Sequence, residues 1–214
     1  MSRCVSVIDG SGGNLLSVRR AFERAGAKVQ FVNDGDGIRK AERIVVPGVG
    51  AFGRGMDALR GLALVEPLRE FIAGGGSVLG ICLGLQFLFE VGEEFGEHSG
   101  LGVLRGRVRR LPDRDTADRP LRIPHIGWNA LLRPRDETQW RGTILERVAP
   151  GYAVYFVHSF AAEPVDPRNI LAECEYGGHR VVAAVQHGRL YGVQFHPEKS
   201  GETGLTIIKT FLEL

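Results

Sequence analysis

The clearest candidate for chemistry in the sequence is a cysteine between two glycines, Cys82 of Gly80-Ile81-Cys82-Leu83-Gly84. An apolar strand over residues 77–81 leads into it, and the apolar spacing of Leu85, Leu88 and Phe89 predicts a helix after it. A nucleophile on a sharp turn from strand to helix is typical of hydrolase nucleophile elbows, here with sulfur in place of oxygen. Glycines on both sides would relieve the crowding at such a turn.

The predicted turn has two chemical consequences for Cys82. Its sulfur would lie beside a helix N-terminus, whose partial positive charge favours the thiolate. The amide of Leu83 would point at whatever attaches to the sulfur, which makes it half of an oxyanion hole. Buried cysteines are more often structural than reactive, so the turn alone leaves both interpretations open.

A histidine and a glutamate lie two residues apart near the end of the chain. His196 and Glu198 follow an apolar run, and Pro197 between them favours an extended backbone, in which residues i and i+2 project to the same side. Glu198 can then accept a hydrogen bond from one imidazole nitrogen while the other nitrogen faces a thiol. Together with Cys82, this spacing predicts a triad of nucleophile, base and orienting acid.

A glycine-rich turn follows the apolar strand at residues 44–46, with the sequence Pro47-Gly48-Val49-Gly50. The carboxyl ends of parallel strands meet at one edge of a sheet, where ligands bind. Glycine there allows a backbone amide to approach a ligand closely. The backbone of Val49 and Gly50 could therefore supply the second oxyanion donor, although a plain turn would have the same composition.

These motifs resemble the class I, or triad-type, glutamine amidotransferases. Within that class the chain is similar to the glutaminase subunits of imidazole glycerol phosphate synthases, a family of histidine biosynthesis. The resemblance runs from the first strand to the last helix, and its motifs occur in the family's order. They are Gly13-Asn14-Leu15-Leu16-Ser17-Val18, Pro47-Gly48-Val49-Gly50, Gly80-Ile81-Cys82-Leu83-Gly84-Leu85-Gln86, Pro124-His125-Ile126-Gly127-Trp128-Asn129, Tyr155-Phe156-Val157-His158-Ser159-Phe160 and His196-Pro197-Glu198-Lys199-Ser200.

The resemblance implies a reaction and a set of site residues. Cys82 would attack the side-chain amide of L-glutamine, while His196 accepts the thiol proton and then protonates the departing ammonia. Water would release glutamate from the resulting γ-glutamyl thioester. The residues 47–50 match the family's oxyanion strand, whose peptide is thought to reorient on activation. The positions that match the family's substrate contacts are Gln86, Glu94, His158, Ser159 and Phe160.

The resemblance also implies a protein partner. Ammonia is largely protonated in neutral water, and the glutaminase fold takes up the whole chain, so a second protein should receive the ammonia. In the family this partner is a (β/α)8-barrel cyclase, which forms imidazole glycerol phosphate and an aminoimidazole carboxamide ribotide. Asn14, Trp128 and Lys199 are the expected interface residues in this heterodimer. An ordinary core aromatic at residue 128 and a solvated lysine at residue 199 are the simpler alternatives.

The order of predicted elements indicates one α/β domain over residues 1–214. Short apolar strands alternate with helices in the first half, which predicts a mostly parallel sheet covered on both faces. From residue 102 onward, alternating patterns and glycine turns predict additional antiparallel strands. The resemblance implies the same class I amidotransferase-like fold, with a central mixed sheet flanked by helices.

The net charge, the spacing of cysteines and histidines, and the lengths of the apolar runs argue against several other classes of function. The net charge of +2 requires no acidic partner, and the arginines at 105, 107, 109 and 110 fit the solvated face of a strand better than a nucleic-acid site. The three cysteines lack disulfide or zinc spacing, no set of histidines has metal-ligand spacing, and Leu15 breaks a dinucleotide-binding glycine pattern. We therefore expect no metal, no cofactor and no nucleic acid. Without a signal peptide or an apolar run long enough for a bilayer, a cytoplasmic location is expected, with no membrane contact.

Two alternative functions remain at this stage. A glutaminase of another pathway, such as pyridoxal phosphate synthesis, would share the triad but lack the motifs at residues 124–129 and 155–160. A flavodoxin-like regulatory module with Cys82 as a redox sensor would have no reason to place His196 and Glu198 near the cysteine. The sequence also departs from the family at Phe160, where tyrosine is common, and at residues 9–13, where an Asp-Tyr-Gly type sequence is usual.

Overall fold

A seven-stranded mixed β-sheet forms the centre of the chain in a computed structural model, which describes residues 3–10, 13–134 and 140–214. The strands are β1 Cys4–Ile8, β2 Lys28–Val32, β3 Arg43–Gly48, β4 Ser77–Cys82, β5 Phe89–Gly92, β6 His98–Ser99, β7 Leu104–Arg110, β8 His125–Ala130, β9 Ala153–His158, β10 Phe160–Pro164, β11 Ile170–Tyr176, β12 His179–His187 and β13 Leu190–Val193. The helices are α1 Leu15–Arg24, α2 Gly35–Arg39, α3 Phe52–Gly61, α4 Val65–Ala73, α5 Leu83–Gln86 and α6 Gly201–Glu213. Short 3-10 turns lie at Pro167–Asn169 and Pro197–Lys199.

The central sheet has the strand order β11-β12-β13-β4-β3-β1-β2. The strands from β13 to β2 are parallel, and β12 pairs antiparallel with both β13 and β11. The register places Gly48 beside Cys82, and Val193 beside Ile81. The carboxyl ends of β3, β4 and β13 therefore meet at one edge, where the candidate site residues follow them.

Helices cover both faces of the parallel strands, because successive side chains of these strands enter two separate cores. On one face, α1 and α6 pack through Phe22 and Phe211, whose rings meet edge to face at 6.3 Å. On the other face, α3 and α4 bury Met56 and Leu68 in the second core. This layering explains why all six residues of β4 are buried.

The helix predicted after Cys82 is much shorter than its apolar spacing indicated. The helix α5 ends at Gln86, and Phe89, which was predicted to be helical, begins β5 instead. Phe89 pairs with Leu104 of β7, and the carbonyl of Leu88 accepts hydrogen bonds from the amides of residues 103 and 104. Pairing with a distant strand therefore overrides the local periodicity. Cys82 is the residue before the first turn of α5, as predicted, but a helix of four residues has a smaller dipole than the longer helix that the apolar spacing indicated.

A proline such as Pro67 can separate two helices or kink one. Two helices are present, but the break between α3 and α4 lies at residues 62–64, where Ala63 has a positive φ of 54°. Pro67 is the third residue of α4, and in the first turn of a helix a missing N–H removes no intrahelical hydrogen bond. Of residues 9–13, where the sequence departs from the family, Ser11 and Gly12 lie outside the described residues.

The second half of the chain contains the predicted hairpins. Gly177 and Gly178 connect β11 to β12, and Gly188 connects β12 to β13, all with positive φ. The arginines of β7 point outward, and Arg107 and Arg109 form ion pairs with Glu93, Glu97 and Glu163. Acidic side chains of the same protein therefore neutralise two arginines of the basic run, as expected for a solvated strand face.

The predicted α/β fold class is confirmed: a mixed, mostly parallel sheet is flanked by helices and joined by two smaller sheets, β10-β7-β5-β6 and β8-β9. Among the described helices, none is both long and apolar enough to cross a bilayer.

Candidate active site

A cavity of about 370 Å³ opens at the sheet edge where β3 and β4 end. It is lined by Cys82, by His196, and by every residue predicted for the oxyanion hole and the substrate. These residues are Val49, Gly50, Leu83, Gln86, Glu94, His158, Ser159 and Phe160. Pro124 and Val157 complete the wall. Residues far apart in the sequence therefore meet in one concave space.

Cys82 occupies a strained turn between β4 and α5. Its backbone has φ +54° and ψ −108°, a conformation that residues with a side chain rarely adopt. A Cβ at Gly84 would lie 1.8 Å from the carbonyl oxygen of Val46, and one at Gly80 would lie 2.5 Å from the carbonyl oxygen of Gly84. Both glycines are thus required for the close approach of strand and turn. The structure shows the elbow geometry that the glycine spacing predicted.

His196 and Glu198 form a buried hydrogen-bonded pair. The Nδ1 atom of His196 lies 2.7 Å from Oε1 of Glu198, and their side chains are only 4% and 3% exposed. The backbone of His196 is extended, with φ −101° and ψ 96°, as the following proline favours. Ser200 helps hold this segment, since its hydroxyl donates to the carbonyl of His196 and accepts from the amide of Tyr155. The imidazole orientation is therefore fixed from the Glu198 side.

The other ring nitrogen of His196 is left available for the cysteine. The buried Nε2 atom makes no hydrogen bond of normal geometry with the described residues. Burial alone would lower the pKa of His196, but interactions with the Cys82 sulfur and the Glu198 carboxylate outweigh it and raise the pKa to about 9. A protonated imidazole between these two groups can both stabilise a thiolate and donate a proton to a leaving group.

Replacing Glu198 with glutamine is expected to lower the pKa of His196. Glutamine preserves a hydrogen-bond acceptor but removes the negative charge, so burial of the imidazolium is less well compensated. A pH titration of the imidazole by nitrogen-detected NMR measures this shift. The matched control is Glu202→Gln, which removes a carboxylate that is 79% exposed in α6 and should leave the titration unchanged. An unshifted His196 in Glu198→Gln would show that Glu198 does not stabilise the charged ring.

Gln86 and Glu94 are held in place on the substrate side of the cavity. Gln86 donates from Nε2 to the carbonyl of Phe160 at 3.1 Å and to Oε1 of Gln194 at 3.0 Å. Glu94 accepts a hydrogen bond of 2.8 Å from the amide of Phe52, at the start of α3. Each side chain therefore reaches the cavity from a defined position.

His158 belongs to a hydrogen-bonded set that the sequence analysis did not anticipate. Its Nδ1 donates to the carbonyl of Phe160 at 2.9 Å, so its Nε2 accepts from Nδ1 of His125 at 3.0 Å. Burial lowers the pKa of His158 to about 3 and that of His125 to about 4, which keeps both rings neutral. His125, to which no special role was assigned, stacks on Tyr176 with ring centroids 4.1 Å apart.

Gln194 is the second residue that the sequence analysis missed. It is fully buried, and its side-chain nitrogen lies 3.6 Å from the Cys82 sulfur. The available signal was its place two residues before His196 at the end of an apolar run, because residues i and i+2 of a predicted strand project to the same side. Among the described residues, no group of three or more His, Cys, Asp or Glu could hold a metal ion.

The three expected interface residues are all exposed. Trp128 is 58% exposed in β8, so an ordinary core position is wrong for this aromatic. Ile126, two residues earlier on the same strand, is 56% exposed. Lys199 is exposed directly after Glu198, while Asn14 caps α1 by accepting a hydrogen bond from the amide of Ser17. Asn14 therefore has a structural contact of its own beside any contact with a partner.

Comparison with known proteins places these features in a family. Residues 6–214 match the family described as glutamine amidotransferase class-I. The chain is 45% identical over 210 residues to imidazole glycerol phosphate synthase subunit HisH 1 of Legionella pneumophila (strain Lens), covering 98% of this chain and 99% of the relative. It is 43% identical over 209 residues to subunit HisH of Rhodopirellula baltica, covering 97% and 96%.

Solved structures share the fold at lower sequence identity. The structure of PurLQS from Thermotoga maritima superposes with a TM-score of 0.74 at 20% identity, covering 100% of this chain and 99% of that chain. A crystal structure of a glutamine amidotransferase gives a TM-score of 0.73 at 19% identity, with coverage of 98% and 97%. Sequence and fold agree, and the chain belongs to the class-I glutamine amidotransferase family and, within it, to the HisH subunits of imidazole glycerol phosphate synthase.

Proposed function

We propose that this chain hydrolyses L-glutamine at Cys82 and delivers the ammonia to a separate (β/α)8-barrel cyclase subunit. The observation that carries the proposal is a cysteine on a strained elbow that shares a cavity with a buried His196–Glu198 pair. A redox sensor would need no such pair at the sulfur. Because the chain belongs to the HisH subunits, a role in histidine biosynthesis is favoured over a role in other glutaminase pathways, including pyridoxal phosphate synthesis.

The geometry supports a two-step acyl transfer. The Cys82 thiolate attacks the side-chain carbonyl carbon of glutamine, and a carbon–sulfur bond forms while the carbonyl oxygen becomes an oxyanion. His196 donates its proton to the amide nitrogen, the carbon–nitrogen bond breaks, and ammonia leaves. His196 then takes a proton from water, whose oxygen attacks the γ-glutamyl thioester. Glutamate is released, and the sulfur regains its negative charge beside the protonated imidazole.

The oxyanion needs two backbone donors. The amide of Leu83 directly follows the nucleophile and lies on the cavity wall. The second donor is assigned to the peptide between Val49 and Gly50, which also lines the cavity. Gly50 has a φ of +100°, and no atom lies within 4 Å of the place where a Cβ would stand, so glycine gives this peptide conformational freedom. Rotation of this peptide would complete the hole only when the partner is bound.

The substrate groups can be matched to the remaining side chains. The Glu94 carboxylate is a suitable partner for the α-ammonium group of glutamine, since opposite charges attract strongly in a partly buried cavity. Gln86 and the 158–160 segment line the cavity beside it and would fix the length of the ligand. Phe160 lacks the hydroxyl that is common in the family, and its carbonyl already accepts from Gln86 and His158, so this carbonyl serves to position those two side chains.

The exposed side chains near the triad form a suitable docking surface for the cyclase. Trp128 and Ile126 present a pair of large apolar side chains on one face of β8, and protein interfaces are enriched in such aromatics. Lys199 follows the triad acid, so an ion pair to the partner would connect docking to the active site. Ammonia that passes through a shielded interface escapes protonation by bulk water.

This function is tested by measuring glutamate release with and without the cyclase of the same organism. We expect weak hydrolysis by the chain alone and strong hydrolysis when the cyclase and its nucleotide are present. The reason is that the oxyanion hole is completed only on docking. Full activity in isolation would contradict the coupling. No glutamate release under either condition would contradict the glutaminase assignment itself.

A variant pair then locates the docking surface. Trp128→Ala is expected to raise the cyclase concentration needed for half-maximal activation by at least about tenfold, as for truncation of an interface hot spot. The control is Val165→Ala, which trims a side chain that is 62% exposed just beyond β10. Its activation curve should match that of the wild type, and equal effects from both variants would argue against this surface.

A further inference from the structure

We propose that Gln194 is a further catalytic residue, whose side-chain amide holds the Cys82 sulfur and connects it to Gln86. The inference rests on the proposed function, because it gives Cys82 the role of nucleophile. Gln194 directly follows β13, and its backbone amide donates to the carbonyl of Ala183. Its residue surface is 0% exposed. A primary amide in such a position must find hydrogen-bond partners inside the protein.

The direction of these hydrogen bonds is fixed by one backbone carbonyl. The oxygen of Phe160 can only accept, so the Gln86 atom that contacts it must be the nitrogen Nε2. The same nitrogen contacts Gln194 at 3.0 Å, and the Gln194 atom that it meets must therefore be the oxygen Oε1. The remaining amide atom of Gln194 is the nitrogen Nε2, which lies 3.6 Å from the Cys82 sulfur. An N–H group of Gln194 is thus aimed at the reacting atom.

Two neighbours of the sulfur favour opposite protonation states. The carbonyl oxygen of Val157, at 3.9 Å, can only accept a hydrogen bond, which stabilises the neutral thiol. The Gln194 amide can donate to the sulfur, and donation to an anion is stronger than donation to a neutral atom. In this buried setting the Gln194 amide therefore favours the thiolate. His196, two residues later in the chain, supplies a positive charge that interacts with the same sulfur.

The same hydrogen bond serves both steps of the proposed reaction. Before attack it stabilises the thiolate that adds to the substrate carbonyl. During hydrolysis of the thioester the carbon–sulfur bond breaks, the sulfur again takes up the electron pair, and the amide of Gln194 again donates to it. Loss of this donor should slow kcat more than it raises KM, because a stabilised sulfur anion matters for the chemical steps.

Gln86 ties this donor to the substrate cavity. The two hydrogens of its amide are used by Phe160 and Gln194, and its oxygen Oε1 has no hydrogen bond with the described part of the chain. Gln86 lines the cavity, so a bound ligand can use that oxygen without breaking the link. A ligand that restricts the motion of the Gln86 side chain would therefore also restrict the Gln194 amide that faces the sulfur.

The test is the reactivity of Cys82 in the protein without substrate. Iodoacetamide alkylation at pH 7 is followed by mass spectrometry of the Cys82 peptide in wild type, Gln194→Met and Gln194→Leu. We expect both variants to react at least about tenfold more slowly, the usual effect of losing one hydrogen bond to a charged group. The pKa of His196 should fall in the same variants, because a less favoured thiolate raises it less. If Gln194 had a purely structural role, neither the alkylation rate of Cys82 nor the pKa of His196 would change in the folded variants.

The matched control is Gln186→Met, which replaces a glutamine of β12 whose amide donates to the carbonyl of Gly188, away from the cavity. Its alkylation rate should equal that of the wild type, and thermal unfolding confirms that each variant is folded. A folded Gln194 variant with wild-type alkylation and wild-type kcat overturns the proposal, as does an equal loss in Gln186→Met. If Cys82 of the wild type is unreactive and glutamate is not released, the proposed function fails instead.

Discussion

Replacing Cys82 with alanine is expected to abolish glutamine hydrolysis, with kcat in the presence of the cyclase falling by at least about 10⁴-fold. The thioester cannot form without the sulfur, and His196 and Glu198 then have no nucleophile to activate. The fold should survive, because alanine retains the Cβ of the buried elbow position and introduces no new clash. Glutamate release measures the activity, and circular dichroism measures the fold.

Cys4→Ser is the matched control for this loss. Cys4 is a partly exposed free cysteine at the start of β1, whereas the cavity lies at the carboxyl ends of the parallel strands. Its replacement should leave the hydrolysis rate within about twofold of wild type, as is usual for a surface change far from a site. Hydrolysis near the wild-type rate in folded Cys82→Ala would remove the basis of the proposed mechanism.

The parts of this protein that could be predicted from the sequence are those set by local patterns. The apolar run of β4 predicts a strand buried on both faces, and Gly177-Gly178 predicts a hairpin turn. The spacing of Gly80 and Gly84 around Cys82 predicts the elbow, because only a glycine tolerates the approach of another backbone. The pairing of His196 with Glu198 was predicted from an extended chain, but Pro197–Lys199 forms a 3-10 turn, and this turn brings Oε1 of Glu198 to Nδ1 of His196. Each of these depends on neighbours within a few residues.

Where the sequence misled, contacts between distant segments decide the structure. The apolar spacing of Leu88 and Phe89 fits a helix as well as a buried strand, and pairing with β7 selects the strand. The hydrogen bonds of Gln194 and His125 join segments more than 30 residues apart, so their partners cannot be identified from the neighbouring residues. An amide or imidazole in a buried strand has no fixed role until its partners are known.

Substituting Gly84 with alanine is expected to destabilise the fold by about 3 kcal/mol or more, at the upper end of the cost of overpacking. The added methyl group would lie 1.8 Å from the carbonyl oxygen of Val46, and neither backbone can move without shifting β3 or the elbow. The urea midpoint should fall, and the remaining folded protein should hydrolyse glutamine slowly because Cys82 and the Leu83 amide are displaced together.

The sign of the change in unfolding free energy shows whether packing or helix propensity dominates at Gly84. Gly84 is in α5, and propensity alone would make alanine more favourable there by up to about 1 kcal/mol. Gly61→Ala provides the comparison, since Gly61 ends α3 with no atom within 4 Å of an added Cβ. That variant should be neutral or slightly more stable in urea and fully active. If Gly84→Ala behaved in the same way, the contact with Val46 would not constrain the turn, and another cause for the strained φ of Cys82 would be needed.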